Sequence, residues 1–397
     1  MQRRRSSSER IDSPTLKHLC AQIVETPPGR LHRLFAGAQP SWTLIRWRAL
    51  RIGDRRIKRA LGAHQRGRIE SFHDLKIVTA LLALIEDHDR FEACLRCHDA
   101  ALTHPDANWR RRFHGTGVGS ESLDVYRLLE GPDGHSFEKT YRRDAEGFRI
   151  MAFIHEAVLP RVEGVGYPAL RDLRHGNRLA LAYFDAIEVA PPATFDVEAA
   201  AQAVRALTQT DLGGLDAPSE VTEFARGNFR RYRAALQERI RGAYPGQADA
   251  ALQRLQNCED EVRQYPIVLC HGDLNRHNFS GYGHILDWDL AGFFPYGYDP
   301  AYIAALARSF KRLSVLEEFY SAHFRRGDTD AQDARAFHFF FLHFMQKYPR
   351  QKRNDRLFHQ LVRRLDLVPA RRRPRVAGRH DRPSTSAPSR RSSNPAG

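Results

Sequence analysis

The chain has 397 residues, 27% of them charged and 42% hydrophobic, and carries a formal charge of +15 at pH 7. That composition fits a soluble globular protein with polar extensions and room for about two or three domains. It argues against a membrane-spanning protein, because no apolar run nears the ~18 residues a span needs, and against a disulfide framework, because five cysteines are too few at this length. The charged start, Arg3 to Arg5, has no apolar stretch behind it and does not read as a secretory signal, so a cytoplasmic protein is expected.

Residues 1–108 read as a basic, mostly helical amino-terminal extension. Helices are expected over 15–35 and 71–102; in the second, Leu75, Val78, Leu81, Leu82 and Ile85 recur at helical spacing. Between them, Ile45, Trp47 and Ala49 alternate with Arg46 and Arg48, which suits either a hairpin or a basic amphipathic helix. Segment 41–68 sets Arg46, Arg48, Arg51, Arg55, Arg56, Lys58, Arg59, Arg66 and Arg68 against Asp54. Such clusters attract polyanions such as nucleic acid, anionic lipid or phosphorylated glycan, although a solvated basic surface is the simpler reading. Cys94-Leu95-Arg96-Cys97-His98 has the spacing of a c-type haem attachment site. Without an export signal or a second axial ligand, ordinary helix cysteines are expected. A zinc site would need further ligands, for which His88 and His104 are the nearest candidates.

A sheet should begin near Trp109. The glycine-rich stretch Gly115 to Ser122 precedes a strand-like run, Leu123 to Leu129; Gly131-Pro132-Asp133-Gly134 is a turn, and Ser136 to Tyr141 a returning strand. Such a glycine-rich strand–turn–strand can lie close over phosphates with backbone N–H groups turned to the anion, and a lysine on the returning strand can reach them. A helix is expected over 143–157, with Phe148, Met151, Ala152, Phe153 and Ile154 as its apolar positions, and a strand over 179–185. Helices should follow over 195–209, 220–244 and 248–265.

The most informative stretch is HGDLNRHNFSGYGHILDWD, residues 271–289. Val268-Leu269-Cys270 leads in as an apolar run, Gly281-Tyr282-Gly283 is a hairpin signal, and Ile285-Leu286 is a second apolar run. The expected hairpin gathers His271, Asp273, Asn278 and Asp287. Phosphoryl transfer from a nucleotide needs such a set: one carboxylate to orient the attacking hydroxyl and accept its proton, an amide oxygen and a second carboxylate to hold magnesium. Helices are expected over 301–312, 313–323 and 334–348, with His338, His343 and Phe337, Phe339, Phe340, Phe341 and Phe344 as core. Beyond Arg371 the chain is dominated by Arg, Pro and Ser, a composition of a disordered basic tail.

The H-x-D-x4-N run followed by Leu-Asp-Trp-Asp resembles the catalytic segment of the aminoglycoside phosphotransferase and choline kinase family, whose members share the protein-kinase fold but phosphorylate small molecules. Gly272, where protein kinases have Arg, fits the small-molecule branch. The resemblance covers about residues 110–350. It implies an α+β, bilobal protein-kinase-like fold: a small antiparallel-sheet lobe over 109–185, a larger helical lobe over 186–369 with the catalytic and metal loops, and a tail over 370–397. It also implies ATP and Mg2+ as cofactors. Asp273 would be the catalytic base and Asn278 and Asp287 the magnesium ligands. Lys139 would bind phosphate beneath Gly117, Gly119 and Ser120 of the glycine loop. Lys139 would pair with Glu146, with Glu156 as the competitor. The backbone around Tyr183 and Phe184 would meet the adenine. Asp299 falls where the family has an Asp after the metal loop, and Asp289 would assist at the metal site.

The expected function is therefore Mg-ATP-dependent transfer of a phosphoryl group to a hydroxyl of a small molecule or glycan. The excess of basic residues leans towards an anionic acceptor, reached at the inner face of a membrane through peripheral contact. The competing reading is a catalytically silent kinase-like scaffold that binds nucleic acid or anionic membrane through its basic segments. The intact set of Asp273, Asn278 and Asp287 argues against it.

Overall fold

The computed structural model of the protein describes residues 59–368 apart from 61, 65–66, 85–86, 104–108, 116–120, 132–133, 188–195, 225–226, 276–277, 280–282, 307–312, 325–330 and 348–351. The expectations for the helix over 15–35, the basic stretch up to Lys58, the glycine-loop residues Gly117, Gly119 and Ser120, and the tail over 370–397 lie outside the described residues.

Two helices come first, α1 (Phe72–Leu84) and α2 (His88–His98). One continuous helix was expected here. The break falls at Asp87, whose carboxylate accepts from Arg90 N–H at 3.0 Å and caps α2. A five-stranded antiparallel sheet follows, built from β1 (Arg110–Gly115), β2 (Val125–Gly131), β3 (Gly134–Arg142), β4 (Leu170–His175) and β5 (Leu179–Asp185) in the order β1-β2-β3-β5-β4. Between β3 and β4 lie α3 (Glu146–Phe153) and a wide helical turn, Ile154–Val158.

Strand alternation sorts the sheet into two faces. On one, Val125, Leu129, Leu179, Leu181 and Tyr183 pack with Leu75, Val78, Leu82, Phe91 and Leu95, so α1 and α2 share a single apolar core with the sheet. On the other, Tyr141, Ala180, Ala182 and Phe184 pack with Phe148 and Met151 of α3. Because β5 is covered on both sides, it reads as a continuous apolar run. Buried ion pairs fix α1 and α2 to the first face. Arg127, paired in register with Glu138, grips its carboxylate with two bonds of 2.7 Å and reaches Glu92 of α2 at 2.9 Å. Lys76 of α1 meets Asp124 at 2.9 Å. Removing one partner of such a pair would strand a buried charge.

The rest of the described chain is mainly helical: α4 (Val197–Thr208), α5 (Ser219–Thr222), α6 (Gly227–Ala243), α7 (Ala248–Val262), α8 (Tyr298–Leu306), α9 (Leu313–His323), α10 (Ala331–Phe344) and α11 (Lys352–Arg364). Its core is aromatic. Phe224, Phe229, Tyr298, Phe340 and Phe344 meet mostly edge to face, and His343 stacks on Phe229 at 4.6 Å. The sheet lobe and helical lobe give the expected α+β architecture. Among the described residues no helix is long and apolar enough to cross a membrane.

The local pairing around the catalytic segment differs from expectation. Strand β6 (Ile267–Cys270) pairs with β7 (Gly292–Pro295), not with Ile285-Leu286. Among the described residues the hairpin reading survives as one bridge, Phe279 to Ile285, and one backbone bond, Leu286 N–H to Asn278 O at 2.8 Å. Asp287 is the reason. It adopts the left-handed conformation (φ 64°, ψ 68°), and the 3-10 turn Trp288–Leu290 follows at once, so the chain turns before a strand can form. Gly292 then lets the returning strand press against Val221, whose carbonyl oxygen would lie 2.4 Å from a Cβ.

Candidate active site

The catalytic segment leaves β6 as a buried, tightly bonded loop. The backbone N–H groups of His271 and Gly272 donate to the two oxygens of Asp299, at 2.7 and 2.9 Å. Asp299 lies in the first turn of α8 and is buried, which raises its carboxyl despite those bonds. Gly272 has φ 82°, and a Cβ there would sit 2.1 Å from Leu290 O. Only glycine fits beside Asp273. His271 is wholly buried; its Nε2 donates to Leu286 O at 2.9 Å and its Nδ1 accepts from Asp273 N–H at 3.2 Å. These two bonds assign the proton to Nε2 of a neutral ring, which fixes the loop from both ends.

Asp273 is held on both carboxylate oxygens. Tyr302 OH donates to Oδ1 at 2.5 Å, and Asn278 Nδ2 approaches Oδ2 at 3.2 Å while also donating to the Asp273 backbone oxygen at 2.8 Å. Lys347 Nζ reaches Tyr302 OH at 3.4 Å. Burial pushes the Asp273 carboxyl up, and the Tyr302 bond pulls it only part of the way back. Because Asn278 uses its amide nitrogen on Asp273, a cation would meet its side-chain oxygen.

Across the cleft, Lys139 on β3 meets the segment after Asn278. Its Nζ lies 2.7 Å from Asp287 Oδ1 and 2.7 Å from Asp289 Oδ2. Tyr141, two residues along the same strand face, donates to Asp289 Oδ1 at 2.8 Å. The ammonium lies 5.4 and 4.9 Å from the ring centres of Tyr126 and Tyr141. Burial alone would lower the Lys139 amine, but Asp287 and Asp289 reverse that and hold it firmly charged. Around Asp287 the crowding of protein atoms works upwards, yet Lys139 prevails and holds its carboxyl below the usual range. For Asp289 burial prevails and the carboxyl rises. The Asp287 side chain is 45% exposed, so it presents an oxygen to the cleft.

Glu146 and Glu156 were the expected partners of Lys139. Glu146 opens α3, and the carboxylates at Lys139 Nζ are those of Asp287 and Asp289; Glu156 is exposed. The wide turn Ile154–Val158 follows α3 and carries His155. His155 is buried 4.9 Å from the Phe184 ring, and burial together with Lys139 lowers its imidazole to about 3. Phe184 lies on the Lys139 face of β5; Tyr183 faces α1 and α2 and is aligned with Glu138. Gly115 ends β1, and Glu121 resumes the described chain, its backbone oxygen accepting from Arg142 N–H at 2.9 Å.

The CxxCH motif sits on α2 with Cys94 buried and Cys97 exposed, and His98 Nδ1 bonds Ile69 O at 2.8 Å. Among the described residues no three His, Cys, Asp or Glu side chains gather as a metal site. A magnesium site built from one or two carboxylates and phosphate oxygens needs no such group.

Sequence reasoning missed Tyr141, Tyr302 and Lys347. Two of the three had a signal. Tyr141 lies two residues from Lys139 on a strand, and Tyr302 three residues from Asp299 on a helix, so each shares a face with a residue already singled out.

Several solved structures are similar in fold, each at low identity. The spectinomycin phosphotransferase APH(9)-Ia, in complex with ADP and spectinomycin, is 12% identical over 65% of this chain and 93% of its own, with a TM-score of 0.39. The aminoglycoside phosphotransferase APH(3'')-Id from Streptomyces rimosus is 20% identical over 61% and 93%, with a TM-score of 0.39. The aminoglycoside phosphotransferase APH(4)-Ia is 13% identical over 69% and 96%, with a TM-score of 0.41. No curated protein matches the sequence. The model of the phosphotransferase enzyme family, APH, matches residues 111–338, more than half of the chain and including Lys139, Asp273, Asn278, Asp287 and Asp299, and the protein belongs to that family.

Proposed function

We propose that the protein transfers the γ-phosphoryl group of Mg-ATP to a hydroxyl of a small molecule or glycan. The observation that carries this reading is the meeting of Lys139 with Asp287 and Asp289 at 2.7 Å, next to the Asp273–Asn278 pair. That arrangement supports reading Lys139 as the phosphate-binding cation, Asp287 as a metal-binding carboxylate and Asp273 as the base.

The donor set suits magnesium. The half-exposed Asp287 carboxylate and the Asn278 side-chain oxygen are hard oxygen ligands, and waters and phosphate oxygens complete such sites. When bound, the metal supplies charge neutralisation on the phosphates. Lys139, kept charged, binds phosphate oxygens, and Tyr141 steadies Asp289 beside it. Asp273 accepts the proton of the acceptor hydroxyl and points it at the phosphorus. Asn278 and Tyr302 fix the carboxylate plane so that little motion is needed as the proton transfers. Positioning and charge stabilisation supply most of the catalysis in this chemistry.

The test is transfer of label from γ-labelled ATP onto a metabolite and glycan extract, read by chromatography and mass spectrometry. Label should move only with magnesium present and should be lost in Asp287→Asn. Transfer that survives without magnesium, or in Asp287→Asn, would overturn the assignment of this cleft.

A further inference from the structure

Strand β3 carries Lys139 and Tyr141 on one face and Glu138 and Thr140 on the other. It ends at Arg142, where a cavity of about 550 Å³ opens between the start of α1, the end of α2, the β3–α3 turn and the β4–β5 turn. Its lining is Glu70, Phe72, His98, Arg142, Arg143, Asp144, Asn177 and Arg178. Alternation places Arg142 on the face opposite Lys139, so this cavity is separate from the cleft described above. We propose that it binds a small phosphate monoester, the phosphate between Arg143 and Arg178 and the apolar part of the molecule against Phe72.

Three guanidiniums converge here, the side chain best matched to phosphate geometry. Arg142 is committed to the Asp144 carboxylate through its Nε. Arg143 spends one N–H on Gly176 O at 2.6 Å, which aims the rest of its fork. Arg178 is exposed, and among the described residues its guanidinium has no carboxylate partner. Of the two acids in the lining, Asp144 is taken by Arg142, which leaves Glu70 against two cations. Glu70 is exposed at the rim, where it favours a ligand hydroxyl and disfavours a polyanion. The amino terminus of α1 adds the positive end of a helix dipole. A volume of about 550 Å³ suits a metabolite.

The walls are set in advance. Asp99 accepts from the backbone N–H groups of Arg178 and Leu179 at 2.7 and 2.9 Å. Gly176 in the same turn lies so close that a Cβ would meet Asp99 Oδ2 at 2.1 Å. His98 gives its Nδ1 to Ile69 O. A ligand therefore finds the β4–β5 turn already placed, which lowers the ordering cost of binding.

Isothermal titration of the full chain with inorganic phosphate and with phenyl phosphate tests this. Three proteins are compared: the wild type, Arg178→Glu, and Arg254→Glu, the same charge reversal on the exposed face of α7. Arg178→Glu should weaken both probes about tenfold or more, the worth of a lost charge-assisted bond, while Arg254→Glu changes neither. Phenyl phosphate should bind more tightly than inorganic phosphate because Phe72 meets its ring. Absence of binding in the wild type, or equal loss in the two variants, would overturn the site; equal affinity for the two probes would overturn the apolar half of the ligand.

Discussion

Tyr302→Phe removes one hydroxyl from the heart of the cleft and little else. The ring is buried and lies edge to face with Phe344 at 5.2 Å, and phenylalanine keeps that packing. What is lost is the phenol donor to Asp273 Oδ1, together with the longer contact from Lys347 Nζ. Hydrogen bonds to an ionised group contribute roughly 1.5–3 kcal/mol. At about 1.4 kcal/mol per decade, kcat should fall roughly 10- to 100-fold if the bond holds Asp273 in its productive orientation. Tyr302 is bonded to Asp273 and Lys347, not to Lys139 or Asp287, so the KM and Kd for Mg-ATP should not move. The pH profile carries a second signature. The Tyr302 bond lowers the Asp273 carboxyl, and burial raises it. Without the bond the carboxyl rises, so the acid limb of the kcat profile should move to higher pH, since Asp273 acts ionised. Steady-state transfer to an acceptor found by the labelling assay, run from pH 5 to 9, measures both. An unchanged kcat, or a loss explained wholly by weaker ATP binding, would refute the role given to Tyr302.

Acid should destabilise the helical lobe through His343. It is wholly buried, and burial holds its imidazole at about 3 against an ordinary 6.5. The unfolded chain takes up a proton below pH 6.5 and the folded one does not, so stability is complete above 6.5 and falls as pH drops towards 3. At pH 5 the loss is about 2 kcal/mol for this one group. His343→Phe should reduce the pH 7-to-5 loss seen in urea unfolding by that amount, and an unchanged loss would show that the residue does not titrate as argued. Gly272→Ala forces a Cβ to 2.1 Å from Leu290 O at φ 82°. It should cost about 2–4 kcal/mol of stability or displace the loop and abolish transfer. A fully active variant of wild-type stability would contradict the geometry.

The sequence disclosed the parts whose chemistry depends on local order. The run from His271 to Asp287, the lysine on a returning strand and the doubly covered β5 could be placed because their spacing and apolar patterns are local. The pairing of β6 was not legible. Its partner Gly292–Pro295 lies beyond a left-handed Asp287, a turn that the apolar pattern of Ile285-Leu286 does not announce. The partners of Lys139 were also hidden. Asp287 and Asp289 are brought to it across 148 and 150 positions, a separation that no local pattern reports. Tyr302 went unnoticed because a tyrosine in an apolar helix reads as core, and only the fold shows its hydroxyl on Asp273. The split between α1 and α2 rested on Asp87, a cap signal inside an otherwise helical pattern.

The most direct test of the account separates binding from chemistry at Asp273. Asp273→Asn keeps the shape of the side chain and removes its basicity. The affinity for Mg-ATP, read by calorimetry, and the rate of phosphoryl transfer are measured on the same preparations of wild type and variant. The account predicts unchanged Mg-ATP affinity with transfer slowed by about 10²-fold or more, the contribution expected of a positioned base. Transfer at the wild-type rate in Asp273→Asn, with binding intact, would contradict it.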